Sequence, residues 1–180
     1  MRLETNRLLL MSTQFTDAND IFMGVKESVN ELSTWFPWAI QSYNLRQAQE
    51  FIAEAIKKSQ NQEAFVYTVK SRSSGKFMGI VELKHVPDVY GRKVPMFEVG
   101  AWIRNSEAGQ GYGAEALKKL IEHADQTLKA KRVFAETAAS NSASIKMMQE
   151  AGLTKEAELK HNRVLPDGSL ENTVIWSWVK

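Results

Sequence analysis

Two adjoining stretches dominate this sequence, Glu98-Val99-Gly100-Ala101-Trp102-Ile103 and Gly109-Gln110-Gly111-Tyr112-Gly113-Ala114. The first alternates in polarity and predicts a β-strand, and the second predicts a glycine-rich turn that opens an amphipathic helix. A helix start presents unpaired N–H groups and the positive end of the helix dipole, and glycine lets a ligand approach the backbone closely. The two stretches together predict a binding site for a phosphate group.

Three ligand interpretations of this turn compete. A Walker phosphate loop is excluded, because that motif ends in Gly-Lys-Ser/Thr and Gly113 is followed here by Ala114. A dinucleotide fingerprint fits the spacing of Gly109 and Gly111, with Glu136 as a ribose-binding acid, but the first glycine lies several residues beyond the strand. A plain helix start that uses glycines for close packing is the third interpretation.

Composition limits the function classes. The 180 residues are 43% hydrophobic and 24% charged, which fits one globular domain over residues 1–180. The absence of cysteine excludes disulfides, thiolate catalysis and cysteine-based zinc sites, and we expect a cytoplasmic protein. A net charge of +2 argues against nucleic acid as a partner, and no apolar run approaches a membrane span. The three histidines are far apart, so no metal site is expected.

The hydrophobic periodicity predicts a mixed α/β domain. Residues 32–38 contain Pro37 and four aromatic or leucine side chains, and we expect a loop or a fragmentary helix there. Gly152 marks the end of the last predicted helix. Helices are predicted over residues 17–27, 46–58, 111–128 and 141–151, and strands over residues 7–11, 64–70, 76–86, 95–103, 132–137, 157–165 and 173–179.

The order of these elements resembles the GNAT acyltransferase superfamily, and within it the RimJ/RimL branch of protein amino-terminal acetyltransferases. The stretches that carry the resemblance are residues 5–10, Trp35-Phe36-Pro37-Trp38, residues 97–103, residues 109–116, Asn141-Ser142-Ala143-Ser144, and residues 150–153 with Glu156. The resemblance implies an α+β GNAT fold, with a central, mostly antiparallel sheet of about seven strands flanked by about four helices.

Two positions depart from the superfamily pattern. Ala108 stands where the phosphate loop often begins with Arg or Gln, although backbone N–H groups do most of the phosphate binding. Met148 stands where many members have the tyrosine that protonates the leaving thiolate. Ser144 is the corresponding residue of the RimJ/RimL branch, so the resemblance assigns that proton to Ser144.

The resemblance implies direct acetyl transfer from acetyl-CoA to an amine, and the lack of cysteine favours a route without an acyl-enzyme. The expected cofactor contacts are the pyrophosphate with the glycine turn, the pantetheine arm with the strand edge, and the thioester end with the helix start. The residues assigned to them are Ala101, Trp102, Ile103, Arg104, Gly109, Gln110, Gly111, Tyr112, Gly113, Ala114, Asn141 and Ser144. Simple helix capping is the alternative for Asn141 and Ser144.

Two carboxylates compete as the general base that takes the proton of the amine. Glu156 aligns with the glutamate proposed for the branch, whereas Glu98 lies in an otherwise apolar strand beside the cofactor. Glu156 is slightly preferred; its alternative is a solvated surface acid, and that of Glu98 is an outward strand residue. The acceptor groove is expected at Trp35, Phe36, Trp38 and Tyr43, with His161 and Arg163 at its rim.

The acceptor defines three functional hypotheses. The first is the amino terminus of a protein such as a ribosomal protein, and the second is a small amine such as a polyamine, an aminoglycoside or an amino-acid-like toxin. The third is a CoA-binding module that regulates a partner without catalysis. A homodimer through the last two strands is considered, although Trp176 and Trp178 share a face that is predicted to lie in the core.

Overall fold

A computed structural model describes every residue from Met1 to Lys180. The strands are β1 (Arg2–Glu4), β2 (Leu8–Ser12), β3 (Ala64–Ser71), β4 (Phe77–His85), β5 (Met96–Ile103), β6 (Arg132–Ala138), β7 (Thr154–Val164) and β8 (Leu170–Val179). The α-helices are α1 (Ala18–Trp35), α2 (Leu45–Gln60), α3 (Tyr112–Gln126) and α4 (Ser142–Glu150). No helix combines the length and the apolar character needed to cross a membrane.

All eight strands form one sheet in the order β1-β2-β3-β4-β5-β6-β8-β7. Every neighbouring pair is antiparallel except β5 and β6, which run parallel. The predicted α+β class and mostly antiparallel sheet are confirmed, with eight strands rather than about seven. The additional strand is β1, whose three residues are too short to show an alternating pattern but pair fully with β2.

Two apolar clusters lie on opposite faces of the sheet. The larger contains the inward stripe of α3, with Leu117, Leu120 and Ala124 fully buried as predicted. Trp176 is buried in the same cluster and Trp178 packs against it, so the predicted core position of this pair is confirmed. The smaller cluster joins α1 and α2 to β3 and β4. The sheet is therefore covered on both faces around its centre.

Helix α1 is longer than predicted. It was expected to end near residue 27, with a loop or broken helix over residues 32–38, but it continues to Trp35. Val29 and Leu32 extend the buried stripe, so the helical period continues past residue 27. The helix ends because Phe36 is extended ahead of Pro37, and the Phe36 N–H donates to the Leu32 carbonyl at 2.8 Å.

Candidate active site

Strands β5 and β6 separate halfway along their length. Their parallel pairing comprises only three residue pairs, from Met96 with Arg132 to Glu98 with Phe134. Beyond Glu98 strand β5 continues to Ile103, paired only with β4. A gap therefore opens in the middle of the sheet, on the side of β5 that faces β6.

The backbone of β5 presents alternate residues to this gap. The Met96 carbonyl accepts from the Val86 N–H, and the Arg104 N–H donates to the Met78 carbonyl, both at 2.9 Å. The even-numbered residues thus direct their N–H and C=O groups toward β4. Because these directions alternate along a strand, the backbone groups of residues 99, 101 and 103 point into the gap.

One cavity, here called the loop cavity, lies between the end of β5, the glycine turn and the start of α4. Its volume is about 730 Å³. Most of the predicted cofactor-binding residues line it, namely Ala101, Trp102, Ile103, Gly109, Gln110, Gly111, Tyr112, Gly113, Ala114, Asn141 and Ser144. Arg104 does not, because its backbone faces β4 and its side chain pairs with Glu27. The structure brings the predicted phosphate site together without Arg104.

The glycines of the turn are required by its geometry. Gly109 and Gly111 have φ of 75° and 76°, the left-handed region in which side chains are disfavoured, and Gly111 immediately precedes α3. A Cβ on Gly113 would overlap the Met147 sulfur and come within 3.3 Å of Ile103. The turn therefore exposes the first N–H groups of α3 to the loop cavity while α3 packs closely on α4 and β5.

Arg7 anchors the turn from the amino-terminal segment. Its Nε donates to Glu115 at 2.6 Å, its Nη1 donates to the Gln110 carbonyl at 3.0 Å, and its guanidinium lies 4.4 Å from the centre of the Tyr112 ring. Burial acts to raise the pKa of Glu115, but hydrogen bonds from Thr5 and Arg7 hold it below its usual range. This role is not evident from the sequence, because nothing local connects residues 108 positions apart.

Helix α1 holds the other end of the same turn. Glu27 accepts hydrogen bonds from Arg104 Nε at 3.0 Å and from the Ser106 N–H at 2.7 Å. The Asn105 N–H donates to the Ser28 hydroxyl at 2.9 Å. The Arg104 hydrogen bond lowers the pKa of Glu27 from 4.5 to about 2. The turn is thus fixed at both ends before any ligand binds.

Asn141 and Ser144 begin α4 at the edge of the gap. Asn141 is buried, and its Oδ1 accepts from the Ser144 N–H at 2.9 Å, which is a normal amino-terminal cap. Asn141 therefore caps α4, and this hydrogen bond leaves the Ser144 hydroxyl available. Ser144 lines the loop cavity and also the second cavity described next.

The second cavity, here called the aromatic cavity, has a volume of about 720 Å³ and lies between α1, α2 and strands β4 to β6. Phe36, Trp38 and Tyr43 line it as predicted, with ring centroids 5.5 Å apart for the first pair and 6.1 Å for the second. Burial raises the pKa of Tyr43 to about 12. Trp35 lines the loop cavity instead, because α1 extends to it.

The two cavities meet at a junction. Both are lined by Phe36, Ala101, Trp102, Ser144 and Met147. The junction lies beside the part of β5 that no longer pairs with β6. A ligand in the loop cavity and one in the aromatic cavity can therefore meet next to the Ser144 hydroxyl and the exposed β5 backbone. No cluster of three or more His, Cys, Asp or Glu side chains is arranged to hold a metal ion.

Three carboxylates line the aromatic cavity. Glu98 pairs with Lys84 at 3.2 Å, and Glu136 pairs with Arg163 at 3.5 Å. Glu82 has no such partner, and burial raises its pKa, while the charges of nearby lysines act in the opposite direction. Glu82 does not stand out in the sequence, because an acid in an alternating strand is typical of a solvated face. Of the two residues expected at the rim, Arg163 lines the cavity and His161 does not.

Glu156 lies outside both cavities. It is exposed on β7 and pairs with Arg132 at 2.7 Å, and hydrogen bonds from Arg132 and Ser177 hold its pKa below the usual range. Arg132 aligns with Met96 at the closed end of the β5–β6 pair, whereas the gap opens after Glu98. The structure therefore brings Glu98 and Ser144 to the site but not Glu156, which has the surroundings of a surface acid.

Comparisons with known proteins agree with this geometry. Residues 7–154 match the family model described as the acetyltransferase (GNAT) domain. A RimL ribosomal L7/L12 α-N-protein acetyltransferase in complex with coenzyme A has a TM-score of 0.89 at 16% identity, over 99% of this chain and 98% of that one. A ribosomal-protein-S5-alanine acetyltransferase from Vibrio fischeri has a TM-score of 0.86 at 18% identity, over 99% and 96%. The microcin C7 self-immunity acetyltransferase MccE, in complex with acetyl-CoA and AMP, has a TM-score of 0.85 at 21% identity, over 98% and 94%.

Proposed function

The chain belongs to the acetyltransferase (GNAT) family, and from this we propose that it transfers an acetyl group from acetyl-CoA to the amino-terminal amine of a protein. The observation that carries the proposal is the junction at which the loop cavity and the aromatic cavity meet, beside Ser144 and the unpaired edge of β5. One cavity suits a phosphate-bearing donor and the other an acceptor, as transfer between two bound molecules requires.

Acetyl-CoA fits the loop cavity in its chemistry. The N–H groups of the glycine turn and of the start of α3, from Gln110 to Ala114, would bind its pyrophosphate. The exposed β5 edge would pair with the amides of its pantetheine arm. A backbone N–H of Val99 or Ala101 would donate to the acetyl oxygen as negative charge develops there. Ser144 would protonate the departing sulfur.

The acceptor would occupy the aromatic cavity. Stacked Phe36 and Trp38 would contact the chain that follows the reacting amine, while the cavity carboxylates would favour its positive charge. Two proteins of the same fold are acetyltransferases of ribosomal proteins, which supports a protein amino terminus as the acceptor. We further propose that the enzyme acts as one domain in the cytoplasm, consistent with its lack of cysteine.

A small amine is the second candidate acceptor. The volume of the aromatic cavity, about 720 Å³, lies within the range of roughly 300–1,000 Å³ that is typical of small-molecule sites. MccE, whose fold is also similar, is described as a self-immunity acetyltransferase bound to AMP. A side pocket of this size would hold a polyamine or an amino-acid-like toxin as readily as the first residues of a peptide.

The test is thiol release from acetyl-CoA with a panel of acceptors. The panel contains peptides that begin with Ser, Ala or Met, the same peptides with a blocked amino terminus, spermidine and an aminoglycoside. Turnover with the free peptides and none with the blocked ones supports the amino-terminal acceptor. Turnover with small amines alone replaces the acceptor class, and tight acetyl-CoA binding without any turnover contradicts the proposed transfer and favours the regulatory module.

A further inference from the structure

We propose that Glu82, on β4, is the general base that accepts the proton of the acceptor ammonium, directly or through one water. The inference rests on the proposed acetyl transfer and deepens it. Glu82 was not among the residues indicated by the sequence, and it differs from both carboxylates that were, Glu98 and Glu156.

The register of the sheet places Glu82 beside the reaction point. Glu82 is the cross-strand partner of Gly100, so its side chain rises from the same face of the sheet as the missing side chain of Gly100. No atom lies within 4 Å of the position that a Gly100 Cβ would occupy. Glu82 thus lines the same open cavity as Gly100 and its neighbours Val99 and Ala101, the two residues whose backbone faces the gap.

The other carboxylates of the aromatic cavity are already engaged. Glu98 is held by Lys84 at 3.2 Å and Glu136 by Arg163 at 3.5 Å. Glu82 has neither an ion pair nor a hydrogen bond, and it is the carboxylate of the cavity that is free to take a proton.

The surroundings of Glu82 set its basicity. Burial raises its pKa and the charge of Glu98, on β5, adds to this, whereas Lys58 on α2 and Lys84 on β4 lower it. Glu136 on β6 and Arg163 on β7 line the same cavity as a neutralised pair. The raised pKa of Glu82 moves toward physiological pH. A general base is most effective when its pKa lies near the pH at which the enzyme works.

The transfer step balances with Glu82 in this role. The ammonium gives one proton to Glu82, and the neutral nitrogen forms a bond to the thioester carbonyl carbon. The carbon–sulfur bond then breaks, and the departing thiolate takes the hydroxyl proton of Ser144. The second proton lost by the nitrogen passes through water to Ser144 and restores its hydroxyl. The products are the acetamide and CoA thiol, and Glu82 returns its proton to solvent.

The experiment measures kcat between pH 6 and pH 10, with acetyl-CoA and an accepted amine, for the wild type and the variants Glu82→Gln, Glu82→Asp and Glu98→Gln. We expect Glu82→Gln to lower kcat by about 100-fold or more near neutrality, as for loss of a general base. The deficit should shrink toward pH 10, where the amine is already neutral. Coenzyme A should bind Glu82→Gln as it binds the wild type, and Glu82→Asp should recover part of the activity with a shifted acid limb.

Three results would overturn the assignment. They are an unchanged kcat and pH profile in Glu82→Gln, a deficit in Glu82→Gln that is the same at every pH, and a pH-dependent deficit in Glu98→Gln instead. If Glu82→Gln fails to bind coenzyme A, the kcat–pH profile of Glu82→Asp decides the question. An acid limb of that profile at the same pH as in the wild type excludes Glu82 as the general base. Failure of the proposed acetyl transfer is distinguishable from failure of the Glu82 assignment, because in the former case the wild type releases no thiol with any acceptor.

Discussion

The loop cavity and the aromatic cavity have nearly the same volume, about 730 and 720 Å³, but they are built from different parts of the chain. The loop cavity is lined mainly by one continuous stretch, the end of β5 and the glycine turn, together with residues from the end of α1 and from α4. The aromatic cavity is side chains from α1, α2, α4, strands β4 to β7 and the segment after α1. Glycine spacing makes the turn visible in the sequence, and the aromatic cluster makes Phe36, Trp38 and Tyr43 visible, whereas Glu82 on a separate strand is not.

The two cavities also differ in how completely their polar groups are satisfied. The turn of the loop cavity is fixed by Arg7 at one end and by Glu27 at the other. In the aromatic cavity Glu82 keeps an unpaired, partly buried carboxylate. The fixed backbone of the loop cavity suits binding of one unchanging donor molecule. The unpaired carboxylate of the aromatic cavity suits proton transfer. Variants that affect one cavity and spare the other test this division.

The largest effect is expected from filling the aromatic cavity at its floor. Gly100→Val places methyl groups in the open space above β5, where no atom lies within 4 Å of the new Cβ. We expect kcat/KM for the acceptor to fall by about 100-fold or more, since a displacement of about 1 Å at the reacting atoms has this effect. Coenzyme A affinity, measured by calorimetry, should stay within about twofold.

Gly100→Ala is the matched control for this variant, because it adds one carbon instead of three. It should cause a smaller loss in the same direction. An equal loss of coenzyme A affinity in both variants would show that the two cavities are not separable at Gly100.

A smaller effect is expected at the junction. Ser144→Ala removes the hydroxyl that is proposed to protonate the departing sulfur, and we expect kcat to fall by about 10- to 100-fold with the KM for acetyl-CoA little changed. Ser142→Ala, in the same first turn of α4 but outside both cavities, is the control and should behave as the wild type. Equal losses in the two variants would indicate damage to the helix start.

Loss of the turn anchor should affect only the loop cavity. Arg7→Gln removes the ion pair with Glu115 and weakens the hydrogen bonding to the Gln110 carbonyl. We expect the Kd of coenzyme A to rise by about 3- to 10-fold. The change is modest because the ion pair is half-exposed. Binding of a pantetheine fragment without phosphates should not change. Arg2→Gln, whose guanidinium pairs with Glu4, is the control. An equal loss for the fragment would contradict a role at the phosphates.

The smallest effect concerns stability in acid. The pKa of Glu27 is lowered from 4.5 to about 2 in the folded protein, so its contribution is present above pH 4.5 and is lost as the pH falls toward 2. We expect about 1 kcal/mol after screening by solvent, seen as a steeper fall of Tm between pH 5 and 3 in the wild type than in Glu27→Gln. Glu31→Gln, on the next turn of α1, should follow the wild type. Parallel curves for the wild type and Glu27→Gln would exclude this contribution.

The sequence predicted the sheet, the glycine turn and the capped start of α4, because alternation, glycine spacing and an asparagine cap are local signals. It missed Arg7 and Glu82 for opposite reasons. Arg7 acts on residues more than 100 positions away, and Glu82 looks like an ordinary outward strand residue until the fold partly buries it at the aromatic cavity. Glu156 was preferred as the base on resemblance alone, and its strand directs it toward Arg132.

The long connection between Arg7 and Glu115 also has a consequence for biosynthesis. At about 5–20 residues per second, a ribosome adds the 108 residues that separate them in roughly 5–20 seconds. During that interval β3, the strand that pairs with β2 in the finished fold, is synthesised, so Arg7 exists long before its partner is made. The glycine turn is therefore synthesised long after Arg7, and a stalled chain that lacks α3 exposes an arginine with no glutamate to receive it.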